Sequence, residues 1–153
     1  MEHFEQKSDR VIAMTEYYLE RFGKAWLGIY YLPVLSENWR FTVFINSLLI
    51  TLRRLDLMPI YTWFMEDNGG HYLFLCINGY FRNDLSDVTP KLNQLWQLHS
   101  PLSATEIDAI LLSYESQAVA NAKLRQFLYS HHSLSQKITT NWHQRSFVMS
   151  RLR

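Results

Sequence analysis

A single cysteine, Cys76, stands in this chain of 153 residues. Set in an apolar stretch, it reads as a small core residue in a reducing compartment and not as a redox or zinc centre. Long hydrophobic runs are missing too. Arg40, Asn46, Arg53 and Arg54 interrupt the best candidate, which falls short of the roughly 18 apolar residues a membrane span needs. Residues Met1-Glu-His-Phe-Glu-Gln-Lys7 lack the basic start and apolar stretch of a secretory signal, so a cytoplasmic location is expected. There is no Gly-rich phosphate loop, Cys-x-x-Cys pair, Gly-x-Ser-x-Gly elbow or His-Glu-x-x-His helix. No repeat, low-complexity segment or linker divides the chain. With 48% hydrophobic residues, one domain over residues 1–153 is expected.

What the chain has in excess is aromatic: five Trp, nine Tyr and nine Phe. Some of these fill a core. Tyr17-Tyr18, Tyr30-Tyr31, Tyr80-Phe81 and Trp142 sit where neighbours alternate faces, so part of this set is expected at the surface, stacking on unpaired bases or forming an interface. A symmetric homodimer is the state this excess suggests.

The formal net charge is +1, but its distribution is uneven. No acidic residue follows Glu115, whereas Lys123, Arg125, Lys137, Arg145, Arg151 and Arg153 are cationic, with His131, His132 and His143 among them. Such a segment contacts phosphates or an acidic protein patch, or is simply solvated. Together with Trp142, these six cations are the candidate residues for binding a partner or nucleic acid.

Periodicity places the elements. Ser8-Asp9 can cap a helix to Phe22, with Val11, Met14, Tyr18 and Phe22 at helical spacing and Gly23 as the stop. Residues 25–32 read as a buried strand ended by Pro33. From Glu37 to Leu55, Phe41, Phe44, Ile45, Leu48, Leu49, Leu52 and Leu55 make an apolar stripe on a long helix. Residues 58–65 and 71–77, flanking a polar stretch that ends in Gly69-Gly70, form a β-hairpin. Ser86 or Asp87 caps a helix with Pro90 in its first turns. Ser103-Ala-Thr-Glu106 has capping-box form and predicts a helical region to about Tyr129, broken near Ser113. A last strand is expected within 145–149. The fold class is therefore α+β: a small antiparallel or mixed sheet, covered by helices on one face.

His71 opens the second hairpin strand and shares a face with Leu73 and Leu75. The segment His71-Tyr-Leu-Phe-Leu-Cys-Ile-Asn78 resembles the motif of the YagK/YfjJ C-terminal-domain family and inovirus-type replication proteins, where a strand reading His-Tyr-His runs into Leu-Asn. Phe127-Leu-Tyr129 with His131-His132 resembles that family's Tyr-x-x-Lys helix. Arg145-Ser-Phe147 with Ser150-Arg151 resembles its Arg-Ser-Phe-x-x-Ser-Arg ending. The family's likeness to rolling-circle initiators implies two histidines holding a divalent metal against DNA and a tyrosine nucleophile. Here Leu73 replaces the second histidine and His132 the lysine. One imidazole cannot hold such an ion, so the chain resembles a degenerate member, with neither metal nor cofactor expected.

Three readings follow. The first is a non-catalytic interaction protein of mobile-element or phage type, resembling anti-CRISPR inhibitors as a class. It would bind and inhibit a host nucleic-acid machine such as a CRISPR effector. The second is a metal-dependent DNA nickase with Tyr129 as nucleophile and His71 as residual ligand. The third is a plain DNA-binding module using the basic tail. The first, which is not an enzyme, is the leading expectation.

Overall fold

The computed structural model describes residues 4–34, 41–66, 70–80, 85–136 and 147–149. Helix α1 (Phe4–Phe22) leads into strand β1 (Lys24–Leu32), and helix α2 (Phe41–Arg54) into the hairpin β2 (Ile60–Met65) and β3 (His71–Asn78). Helix α3 (Val88–Trp96), strand β4 (Thr105–Ser113), helix α4 (Gln117–Tyr129), a 3₁₀ turn (His132–Gln136) and strand β5 (Phe147–Met149) complete the order.

The five strands run β4-β1-β3-β2-β5 across one sheet, and every neighbouring pair is antiparallel. β1 and β2 are therefore parallel to each other with β3 between them, and β3 and β4 are parallel with β1 between them. The units β1-α2-β2 and β3-α3-β4 interleave, which is the split β-α-β connectivity of a ferredoxin-like core. Helix α1 precedes this core; α4 and β5 follow it.

Both faces of the sheet are covered, which corrects the expectation of one. Tyr72, Phe74 and Cys76 of β3 pack with Val11, Met14 and Tyr18 of α1 and Leu124, Phe127 and Leu128 of α4. Leu73, Leu75 and Ile77 face Phe44, Leu48 and Leu52 of α2 and Leu92 and Trp96 of α3. All eight residues of β3 are buried, and between its polar ends, His71 and Asn78, runs the unbroken apolar stretch that a strand covered on both sides requires.

Helix α1 begins at Phe4, so Ser8-Asp9 lies inside it and is not its cap. No proline or glycine in residues 4–7 stops the helix earlier. Gly23 closes it as expected, at φ 82°, its N–H donating to the Leu19 carbonyl at 2.8 Å, a left-handed helix ending that glycine adopts without a Cβ clash. The predicted helix over 37–55 appears as α2; its residues 37–40 lie outside the described residues. The expected hairpin forms, its first strand starting at Ile60 and not at residue 58, with Met65 opposite His71 and the Glu66 N–H on the Gly70 carbonyl at 2.6 Å. Asp87 occupies the N-cap position of α3.

The largest correction is β4. Residues 105–113 form no helix; they pair with β1 from Lys24–Ser113 to Tyr31–Thr105, with a bulge at Ile29/Tyr30. Ile107, Ile110 and Leu112 turn to the α1/α4 side and Ala109 to the α2/α3 side. Glu106 accepts from the Thr89 hydroxyl at 2.6 Å and does not close a capping box. Pairing with the open edge of β1 overrides the local helical signal. The helix starts only at Gln117, where the Ser116 hydroxyl accepts the Val119 N–H at 3.2 Å, an N-cap worth about 1 kcal/mol.

One turn is strained. Between α2 and β2, Asp56 and Met58 adopt φ of 57° and 48°. They bracket Leu57, whose side chain is buried and whose carbonyl accepts the Asn78 N–H at 2.8 Å and the Tyr18 hydroxyl at 3.1 Å. A left-handed conformation costs a residue with a Cβ about 1–2 kcal/mol, part of which a glycine returns through the entropy of its unfolded state. Met58→Gly is expected to raise stability by about 0.5 kcal/mol, read as an upward shift of the denaturation midpoint; a fall would show that the Met58 side chain contributes more than its backbone costs.

Candidate functional surface

His71 is 3% exposed. It sits where β3 begins, opposite Leu32 of β1 and Met65 of β2. Its ring lies 5.0 Å from Phe41, nearly parallel at 21°, and 4.6 Å from Trp63. Burial among these rings holds its pKa well below the usual histidine range, at about 3, because a charged imidazole would lose its hydration without recovering it. Leu73, at the position of the resembled second ligand, is fully buried in the α2/α3 cluster. Among the described residues, no three His, Cys, Asp or Glu side chains are grouped to hold a metal ion.

Tyr129 lies elsewhere. It ends α4, whose inner residues Leu124, Phe127 and Leu128 belong to the cluster on the opposite face of the sheet. The structure thus brings the two residues of the nickase reading to opposite layers: an imidazole sealed in the core, and a phenol that is 65% exposed. A tyrosine nucleophile and a metal-bound phosphate must meet within hydrogen-bonding reach, and the sheet stands between them.

The outer side of α4 is exposed to solvent. Lys123 and Arg125 are exposed, and α4 carries no acidic residue. Arg125 Nε donates to Asn121 Oδ1 at 2.6 Å; Asn121 Nδ2 in turn donates to the Glu16 carboxylate of α1. Tyr129 stacks on His132, with ring centroids 5.0 Å apart at 20°. His132 Nδ1 donates to the Tyr129 carbonyl at 2.9 Å, satisfying an orphan acceptor at the helix end. His131 turns the other way, to Asp108 Oδ2 at 2.8 Å, while Asp108 Oδ1 accepts the Ala109 N–H at 2.8 Å. The Asp108–His131 pair joins β4 to the segment after α4. Nothing in the sequence signalled it, because it depends on β4 being a strand.

Lys137, Trp142, Arg145, Arg151 and Arg153 lie outside the described residues. Of the aromatic pairs expected near the surface, Tyr18 and Tyr30 are fully buried, whereas Tyr80 is 64% exposed; Tyr17 and Tyr31 are half-buried. Tyr30 entered the core with a polar partner: its hydroxyl lies 3.0 Å from Thr89 Oγ1, which bonds Glu106. Among the described residues, no helix is long and apolar enough to cross a membrane.

No protein-family model, curated protein or solved structure matches the chain. Function must therefore be argued from these residues, since a fold alone does not define one.

Proposed function

We propose that the protein is a non-catalytic interaction protein, of the mobile-element type its sequence resembles, which binds and inhibits a host nucleic-acid machine such as a CRISPR effector or its nuclease in the cytoplasm. The observation that carries this reading is the separation of His71 from Tyr129. The positions that resemble a metal site and a nucleophile lie on opposite sides of the sheet, and the histidine is packed between Phe41 and Trp63. What the fold leaves outside is an acid-free helix with exposed cations and a stacked aromatic pair, which suits recognition and not bond cleavage.

Affinity capture from a host carrying CRISPR effector complexes is expected to recover a nuclease or effector subunit in stoichiometric amount. Repeated capture that yields no such subunit would overturn the reading. So would a covalent adduct with single-stranded DNA, formed in the presence of manganese and abolished by Tyr129→Phe.

A further inference from the structure

We propose that the outer edge of β4 is an interface for a second copy of this chain, the two β4 strands pairing antiparallel about a twofold axis at Leu111 so that two sheets become one. The inference does not rest on the inhibitor reading.

β4 is the outermost strand of the sheet, and among the described residues only β1 pairs with it. In that ladder Lys24 stands opposite Ser113 and Ala25 opposite Leu112, and one step on the Tyr114 N–H donates to the Gly23 carbonyl at 2.8 Å. Residue pairs that exchange hydrogen bonds alternate along an antiparallel ladder with pairs that do not. Tyr114, Leu112 and Ile110 therefore turn their backbone groups toward β1, while Ser113, Leu111 and Ala109 turn theirs outward.

Two of these outward groups already have partners within the chain. The Ala109 N–H donates to Asp108 Oδ1 at 2.8 Å, and the Ser113 carbonyl accepts the Glu115 N–H at 3.0 Å. The Leu111 N–H and carbonyl, the Ser113 N–H and the Ala109 carbonyl remain, a row of the kind that templates another strand.

The pattern is its own complement. A twofold axis at Leu111 sets Leu111 against Leu111 of the second copy and Ser113 against Ala109 of the second copy. Each Leu111 N–H then donates to the other Leu111 carbonyl, and each Ser113 N–H to the other Ala109 carbonyl. The Ala109 N–H and the Ser113 carbonyl, both already satisfied, are left facing each other. Moving the axis to Ala109 sets its engaged N–H against its free carbonyl, and moving it to Ser113 sets a free N–H against an engaged carbonyl. Such self-matching is what a closed, isologous dimer requires and what a foreign strand would meet only by chance.

Charge agrees with a copy as the occupant. Residues 109–114 carry no charge, and in this register Asp108 falls opposite Tyr114, so no acid meets an acid. Leu111 and Tyr114, 36% and 46% exposed, supply apolar surface beside the strand, and the two Leu111 side chains become a direct cross-strand pair.

The test is sedimentation velocity of the full chain over a micromolar concentration series, with amide exchange followed by NMR on the same samples. A reversible dimer is expected, and exchange at the Leu111 and Ser113 amides should slow as its fraction rises. Leu111→Pro removes an N–H that β1 does not use, a position where an edge strand tolerates proline, and should weaken association at least tenfold through the two hydrogen bonds lost per dimer. Leu111→Lys, a change at an exposed side chain that sets like charges opposite each other, should weaken it as well. Circular dichroism verifies that each variant is folded, and Leu111→Lys carries the test if Leu111→Pro is not. A monomer at every concentration overturns the proposal, as does a dimer that the folded variants leave equally tight or in which the Leu111 and Ser113 amides exchange no more slowly.

Discussion

Lowering the pH from 7 to 4 is expected to cost the wild-type protein about 3 kcal/mol of folding stability that a His71→Phe variant keeps. His71 is 3% exposed, and burial lowers its pKa from 6.5 to about 3. Its folded pKa lies below its unfolded one, so the unfolded chain binds the proton more tightly. The contribution of the neutral imidazole is intact above pH 6.5 and is lost as the pH falls toward 3. Each unit in that window is worth about 1.4 kcal/mol. All other ionisable groups are common to both proteins, so the comparison between variants isolates the histidine. Phenylalanine keeps the ring between Phe41 and Trp63 without a titrating nitrogen; any constant offset it introduces shifts the curve without tilting it. Urea denaturation at pH 7, 6, 5 and 4 provides the measurement. Parallel stability curves for the two proteins would show that His71 is protonated in the fold and that the sealed-core placement is wrong.

That placement was half legible in the sequence. Alternation along His71–Ile77 put His71, Leu73 and Leu75 on one face, and the structure puts Leu73 and Leu75 in one cluster and Tyr72, Phe74 and Cys76 in the other. The helices before and after the hairpin were legible from helical periodicity, with Phe, Ile and Leu recurring along α2 and Leu92, Leu95 and Trp96 along α3. Alternation cannot say what covers a face. Trp63 reaches His71 from the neighbouring strand of the hairpin, but Phe41 does so only because α2 returns across the sheet, a tertiary event with no local signal.

β4 failed differently. Ser103 and Glu106 are spaced as a capping box, and the Ala and Leu content of 104–112 favours a helix. The deciding fact is non-local: β1 has an edge on the side away from β3, and eight of its residues pair with 105–113. A ladder of that length outweighs propensity differences of a few tenths of a kcal/mol per residue. The error also hid the functional surface. Reading 103–129 as one broken helix left Asp108 and His131 on a single rod, whereas a strand followed by a helix folds back and places them 2.8 Å apart.

The second large effect concerns how α3 is held. Trp96 is its last residue and fully buried. Its ring meets Phe44 of α2 edge-on, with centroids 5.1 Å apart at 83°, an arrangement that adds to simple burial. Val88 and Leu92 are the other buried residues of α3 and Leu95 packs beside them, so Trp96 is the largest side chain that fixes this nine-residue helix over the sheet. Trp96→Ala is expected to cost about 3–5 kcal/mol, a large share of the 5–15 kcal/mol typical of a domain, and to lower Tm by about 10 °C or more. Trp96→Phe retains an edge-on ring and should cost less than half as much. Leu98, two residues on and 74% exposed, is the internal control: Leu98→Ala should change stability by no more than about 0.5 kcal/mol. Because α3 connects β3 to β4, its loosening should also weaken hydrogen-exchange protection along β4 before that of β3, which is held between β1 and β2. Equal loss of protection in both strands would mean that α3 unfolds only with the whole sheet, and that β4, with the Asp108–His131 contact it carries, does not depend separately on Trp96.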